Sequence, residues 1–395
     1  MSSALEWLQG LKQRGIRLGL ERIGEVLRDI DLPGHVVRVG GTNGKGSVCA
    51  LLGGILRQTG ATVGVYTSPE LERVNERVTV NGDAIGDRDL ARHAAWLMKH
   101  DVELTFFEAL TAIALRYFSQ RCVDYAVLEV GMGGRYDATA AVNADVTVVT
   151  NVSFDHMEHL GQSIEAIAGE IAGAIRGGIV VTACTGTALD IVKQRAIQRG
   201  ARLHVVSRDM WQQTGPGGFR VTTERRYDLE TRLAGAYQGQ NIALAVQTAE
   251  VLGVDRRSII DGVAGAWLPG RLERLGNIML DGAHNPAAMQ ALRVSLENMD
   301  IRPRYIVFGA MRDKDIPGII AELPPGDVIA TAAPTTRAAS GAEIAGMLSE
   351  MGRNCHVATG PADALRKARA IAGEGDVILV TGSLCLVGDI RRHLH

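Results

Sequence analysis

The sequence has 395 residues, room for two or three domains at roughly 100–200 residues each. Apolar residues make up 46% and aromatic residues only 4%, so the core must rest on aliphatic side chains, and a formal net charge of −2 gives nucleic acid no electrostatic footing. No run approaches the roughly 18 apolar residues of a membrane span, the first residues lack a signal peptide, and five scattered cysteines without a CxxC pair suit free thiols, all of which point to a cytoplasmic protein.

After an N-terminal helical stretch, the apolar run at 35–40 predicts a buried strand, and GGTNGKGS at 40–47 follows it. Val48, Leu51, Leu52 and Ile55 then recur at helical spacing. A strand, a glycine-rich turn and a helix in that order set backbone N–H groups and a positive helix end around an anion. In such a loop Lys45 reaches the outer phosphates and Ser47 opens the helix near a bound magnesium ion; the alternative is a glycine-rich turn that binds nothing. Further strands are predicted at 62–66, 124–129, 145–150 and 178–182. Most are apolar throughout, as in a parallel sheet covered on both faces.

Residues 201–233 break this pattern and predict a small antiparallel patch, after which a helix resumes near Asn241. WLPGRLERLG at 267–276 predicts a domain boundary, because Pro269 and Gly270 interrupt helical periodicity. Beyond it NIMLD, RYIVF, DVIAT and DVILVTG form a second alternating series. The expected architecture is α/β, with a large P-loop-containing parallel-sheet domain over 1–272 and a smaller Rossmann-like domain over 273–395. Ligands of such folds lie outside the carboxyl ends of the strands, often between domains.

Several polar residues fall at that edge. Glu129 ends the strand YAVLE and is a magnesium-ligand candidate, or else a partner for an arginine such as Arg135. Asp155 and His156 follow the next strand, and Ser68 follows the strand at 62–66, where it either ligates or caps the turn before Pro69.

GGTNGKGSV, YTSPELERVNERV, TFFEALTAIAL, VLEVGMGGRYDAT, DHMEHLG, LAGAYQGQN, LPGRLE, MLDGAHNP and VTGSLCLVGD occur in an order that resembles the folylpolyglutamate and dihydrofolate synthases, Mur-ligase-like ATP-dependent amide ligases. The likeness runs from about residue 19 to the C-terminus. It implies that ATP activates a folate or pteroate carboxylate as an acyl phosphate, which the amine of glutamate then attacks. Such chemistry needs positioning and charge neutralisation more than a protein nucleophile. By resemblance, Asn43, Gly44, Lys45, Gly46 and Ser47 hold the phosphates, Ser68 and Glu129 hold a first magnesium ion, and His156 holds a second. Asn241 matches an adenine contact, Arg271 a phosphate contact, and Asp281 a ribose contact, while His284 lies near the γ-phosphate. Thr105, Tyr136, Asp137 and Ala138 match acceptor-binding positions. For Arg271 the plainer role is a linker salt bridge, and for Asp281 and Asn285 turn capping. The implied cofactors are ATP and Mg2+, the implied partners glutamate and a folate or pteroate, and the implied state a monomer. The same chemistry on another pterin or cofactor acid, or a regulatory nucleotide-binding pseudo-ligase, remains open.

Two departures matter. Family members place a lysine, carbamylated to help hold the second magnesium ion, where this chain has Ile171. Ile164, Ile167, Ala168, Ile171 and Ile175 form one apolar stripe, and Glu170 points away from it. Glu70 stands where histidine is usual after TSP, which bears on the pterin-side contacts.

Overall fold

The computed structural model describes residues 3–31 and 34–394. Its largest sheet has eight strands, in the order Asp83–Ala84, Val78–Val80, Val63–Tyr66, Tyr125–Glu129, His35–Gly40, Val146–Val149, Ile179–Thr182 and Arg202–Val205. The last six are mutually parallel and the first two form an antiparallel edge. His35–Gly40 sits at the centre because every residue after His35 is buried, and Val36, Val37 and Val39 suit a strand packed on both sides. Alternation along the strands divides the core in two. Val37, Val39, Val127 and Val148 face the helices Lys45–Gln58 and Gln238–Val251, whereas Val36, Ala126 and Leu128 face Phe106–Gln120 and the N-terminal helices.

Arg38 lies on that central strand and is fully buried. Its guanidinium donates to the carbonyls of Ala174 at 3.0 Å, Thr139 at 2.8 Å, and Val142, which ties the crossover after Tyr125–Glu129 to the chain beyond the helix Ile164–Ala172. Burial lowers its pKa to about 10, still far above neutrality.

The helix that follows the glycine-rich loop is pinned from behind. A side chain on Gly54 would come within 2.7 Å of the Gly262 carbonyl, so Lys45–Gln58 and Arg256–Gly265 approach backbone to backbone.

The antiparallel patch is real but starts later than expected. Arg202–Val205 is instead the parallel edge strand beside Ile179–Thr182, and the three-stranded antiparallel sheet comprises Trp211–Gly215, Gly218–Thr222 and Arg226–Glu230. An edge strand covered on one side only carries no continuous apolar run, and Arg202 and His204 disguised it.

The second series builds a six-stranded sheet in the order Glu273–Leu275, Ile278–Leu280, Val377–Thr381, Pro303–Phe308, Asp327–Ala330 and Cys355–Val357, parallel except for its first hairpin. Its two faces carry separate apolar clusters. Among the described residues no helix is long and apolar enough to cross a membrane, and all five cysteines are free thiols.

Polar contacts join the two sheet units at several places. Arg391 pairs with Glu273 at 3.0 Å and with Glu72 of the first unit. Elsewhere Asn285 bonds Asn43 and Asp155.

Candidate active site

The chain leaves the central strand at Gly40 and turns through the loop into the helix beginning at Lys45. Gly44 caps that helix with φ 85°, and a side chain there would lie 2.3 Å from Asn241 Oδ1. Only glycine meets both demands. The loop rests on a polar shelf after the strand Val146–Val149. Asn43 N–H donates to Asn151 Oδ1 at 3.0 Å, and the Asn43 carbonyl accepts from Thr150 Oγ1 at 2.7 Å and Asn151 Nδ2 at 3.1 Å. Ser153 N–H donates to Thr42 Oγ1 at 3.0 Å. The sequence reading passed over Thr150, Asn151 and Ser153, although a polar run at a parallel strand's carboxyl end was the available signal.

Lys45 folds back over this loop and donates to the carbonyls of Gly41 and Thr42, both at 2.9 Å. Burial lowers its pKa, and Glu129 opposes that shift. Glu129 pairs in register with Val39 and is only 4% exposed, so burial pushes its carboxyl above the usual range. Oε2 accepts the Ser68 N–H at 2.9 Å, and Oε1 has no hydrogen-bond partner among the described residues. Arg135 is not its partner: that guanidinium bonds Glu170 at 3.0 Å. A buried carboxylate with an open oxygen beside Ser68 and the loop fits one hard cation, completed by phosphate oxygens and water.

Across the cleft stands the DGAHNP segment. Asn285 caps the helix Pro286–Asn298, and its Nδ2 donates at 3.0 Å both to Asn43 Oδ1 and to Asp155 Oδ2. Capping was the plainer reading of Asn285, and the same side chain also bridges the two units. His284 Nδ1 lies 2.8 Å from the Gly282 carbonyl, and its Nε2 is 3.7 Å from Asp155 Oδ2. Lys314, which no motif singled out, reaches from the second unit to Asp155 Oδ1 and to 3.4 Å from His156 Nε2. Burial alone would raise the Asp155 carboxyl, but Lys314, His156 and His284 hold it well below the usual carboxylate range. Burial, then Lys314, lower both His156 and His284 to about 4, so both are neutral at pH 7.

Arg271 forms no ion pair among the described residues, which removes the linker salt bridge as its role. Its charge acts on Lys45, Glu129, Asp281 and His284, placing it over the same cleft. Asp281 accepts hydrogen bonds from Leu272 N–H at 3.0 Å, Ala283 N–H at 2.9 Å and Tyr237 Oη at 3.3 Å, and so braces the linker. Asn241 lies buried beneath Gly44 and bonds Gln238 at 2.8 Å; Ser47 is buried in the helix's first turn.

The residues expected to bind the acceptor have mostly structural partners. Thr105 caps Phe106–Gln120 in a capping box with Glu108, which Arg22 pairs at 3.0 Å. Asp137 accepts four hydrogen bonds, from the backbone N–H groups of Gly131, Met132 and Thr139 and from the Thr139 hydroxyl, and thereby shapes the loop that presents Tyr136. Ala138 is buried behind it, whereas Tyr136 is 47% exposed and lines a cavity of about 320 Å³ with Leu20, Arg135, Arg176, Arg195 and Arg199. Glu70 lies between Lys12 at 3.4 Å and Arg77, whose cations both sit over Phe106.

The metal-ligand expectation for His156 meets different surroundings. Ile171 is 2% exposed within an apolar cluster that includes Val149, Leu160, Ile167 and Ile175. Glu170 is engaged by Arg135, and no group of three His, Cys, Asp or Glu residues poised for a metal occurs among the described residues.

Comparison with known proteins matches this arrangement over the full chain. Residues 39–249 match the Mur ligase middle domain, and residues 270–384 match the Mur ligase, glutamate ligase domain. The dihydrofolate synthase/folylpolyglutamate synthase of Bacillus subtilis is 34% identical over 99% of this chain and 98% of its own length. A probable bifunctional folylpolyglutamate synthase/dihydropteroate synthase of Haloferax volcanii is 36% identical over 98% of this chain, which spans 50% of that protein. The structure of Escherichia coli FolC in complex with DHPP and ADP superposes with a TM-score of 0.90 at 31% identity, covering 100% of this chain and 98% of that one. A bifunctional folylpolyglutamate synthase/dihydrofolate synthase with Mn, AMPPNP and L-glutamate bound superposes with a TM-score of 0.88 at 31% identity, again over 100% and 98%.

Proposed function

The chain belongs to the Mur ligase family, among the folylpolyglutamate and dihydrofolate synthases, and on that premise we propose that it uses ATP to join L-glutamate to the carboxylate of a folate or dihydropteroate. The observation that carries this reading is the meeting of a phosphate loop and the DGAHNP segment across one cleft, through Asn285, Asn43 and Asp155.

In the first step the acceptor carboxylate attacks the γ-phosphorus, the bond to the β,γ-bridging oxygen breaks, and ADP leaves. Lys45 and Arg271 neutralise charge on the transferred phosphoryl, which is where such reactions gain most from preorganised cations. Glu129, with Ser68 and the loop's first helical residues, would hold a divalent ion, which we take to be Mg2+ and which would neutralise phosphate charge when bound. In the second step the glutamate amine attacks the acyl carbon and phosphate departs. The ammonium's proton passes to water or the departing phosphate, while neutral His284, held through Nδ1 on the Gly282 carbonyl, lines the cleft without adding a fixed charge.

We assign Asn241 and Asp281 to the nucleotide as loop support and linker brace, and Thr105, Tyr136, Asp137 and Ala138 to the acceptor. We divide the chain between Leu272 and Glu273, a reading supported by the start of the strand Glu273–Leu275. The reading takes the enzyme to be monomeric and cytoplasmic, and free thiols at the five cysteines suit a reducing compartment. The test is phosphate release with ATP and glutamate, with dihydropteroate or tetrahydrofolate as acceptor, and product masses read by mass spectrometry. A glutamyl adduct with either acceptor is expected. ATP binding without acceptor-dependent phosphate release would favour the regulatory reading instead.

A further inference from the structure

We propose that the Asp155–His156 corner of this site holds no divalent ion and that the ammonium of Lys314 is its resident cation, so that the enzyme works with one metal ion and one lysine supplied by the second unit. The inference rests on the ligase reading above and deepens it. Asp155 is the carboxylate that the corner's donors share, its side chain 6% exposed, and it is already engaged by Lys314, itself 8% exposed. Asp313, whose charge also reaches His156, is paired with Arg337 at 3.0 Å. Its other oxygen accepts from Asn285 at 3.0 Å and lies 3.7 Å from His284. The Nε2 of His156 faces the same ammonium at 3.4 Å. A divalent ion placed there would stand against a fixed like charge in a buried setting, with one carboxylate already shared among several donors. Among the described residues no free carboxylate takes the place of the family lysine: Ile171 is sealed in the apolar cluster, Glu170 is paired with Arg135, and Asp313 with Arg337. The oxygen-rich shell magnesium requires is therefore missing, and a monovalent cation on a tether fills the place.

The arrangement has a consequence for assembly. Lys314 and Asn285 both come from the second unit, so the corner acquires its positive charge only when the two units are joined. Lys314 is thus a positioning residue that fixes Asp155 and His156 as well as a charge near the phosphate loop.

The experiment counts Mn2+ bound per chain in the presence of AMPPNP, by electron paramagnetic resonance, and looks for nitrogen coupling from an imidazole ligand. Wild type should bind one ion without imidazole coupling, and Lys314→Arg should do the same. Lys314→Met, checked for folding by circular dichroism, should admit a second, weaker ion that shows the His156 nitrogen and should lose at least tenfold in kcat. Two ions or imidazole coupling in the wild type would overturn the proposal, as would a folded Lys314→Met protein with one ion and wild-type turnover. A chain that binds no AMPPNP would overturn the ligase reading together with it.

Discussion

Replacing Lys45 with methionine removes a buried charge while keeping most of its length. Lys45 supplies two hydrogen bonds, to Gly41 and Thr42, and the main opposing charge to Glu129. At an effective dielectric constant of about 20, one unit charge about 4 Å from a developing phosphoryl charge is worth roughly 4 kcal/mol. That corresponds to about a thousandfold in kcat, since each 1.4 kcal/mol or so is tenfold. The substitution also leaves Glu129 with less compensation, so its carboxyl should rise further and its hold on a divalent ion should weaken. The ground-state nucleotide keeps the loop N–H groups and the helix end, so its affinity should fall by less than turnover does. Glutamate-dependent phosphate release measures kcat, and fluorescent-nucleotide titration measures affinity. Turnover within tenfold of wild type in a folded Lys45→Met protein would refute the placement of this ammonium at the transferred phosphoryl.

Acid should destabilise the protein before its carboxylates titrate. His93, His156 and His284 are each lowered by burial from 6.5 to about 4, so the unfolded chain takes up protons there first and stability falls as pH drops from about 6.5 toward about 4. His93 gives the geometric reason, because Arg116 donates to its Nδ1 at 2.9 Å and requires a neutral ring; urea midpoints unchanged between pH 7.5 and 5 would contradict this. Arg38→Met should cost roughly 3 kcal/mol, because three buried carbonyls lose a charged donor, and an equal unfolding midpoint would show that water replaces it freely. Gly44→Ala should cost roughly 1–3 kcal/mol of strain and weaken nucleotide binding at least tenfold, given φ 85° and the encroached Asn241; a variant with normal affinity would show that the loop can relax.

Much of this site is written along the chain because its parts are local. An apolar run followed by glycines and a helical stripe specifies a strand, an anion cradle and a helix, and the structure has His35–Gly40 and Lys45–Gln58 there. Glu129 was legible for the same reason, since the end of a buried parallel strand is a fixed place relative to the cleft. The Ile171 departure was legible as well, because the stripe it completes is helical and apolar, and the structure buries it. Asn285 and Asp155 were visible as polar residues at strand ends, but not as partners. The edge strand Arg202–Val205 was hidden by its polar face, which only its neighbour Ile179–Thr182 accounts for. Lys314 and Asp155 are 159 residues apart and lie in loops of different sheet units. No periodicity or spacing relates such residues. Their meeting follows from how the linker at Gly270–Leu272, braced by Asp281, sets the second unit against the phosphate loop. Which cation stands beside Asp155 is decided by that packing alone.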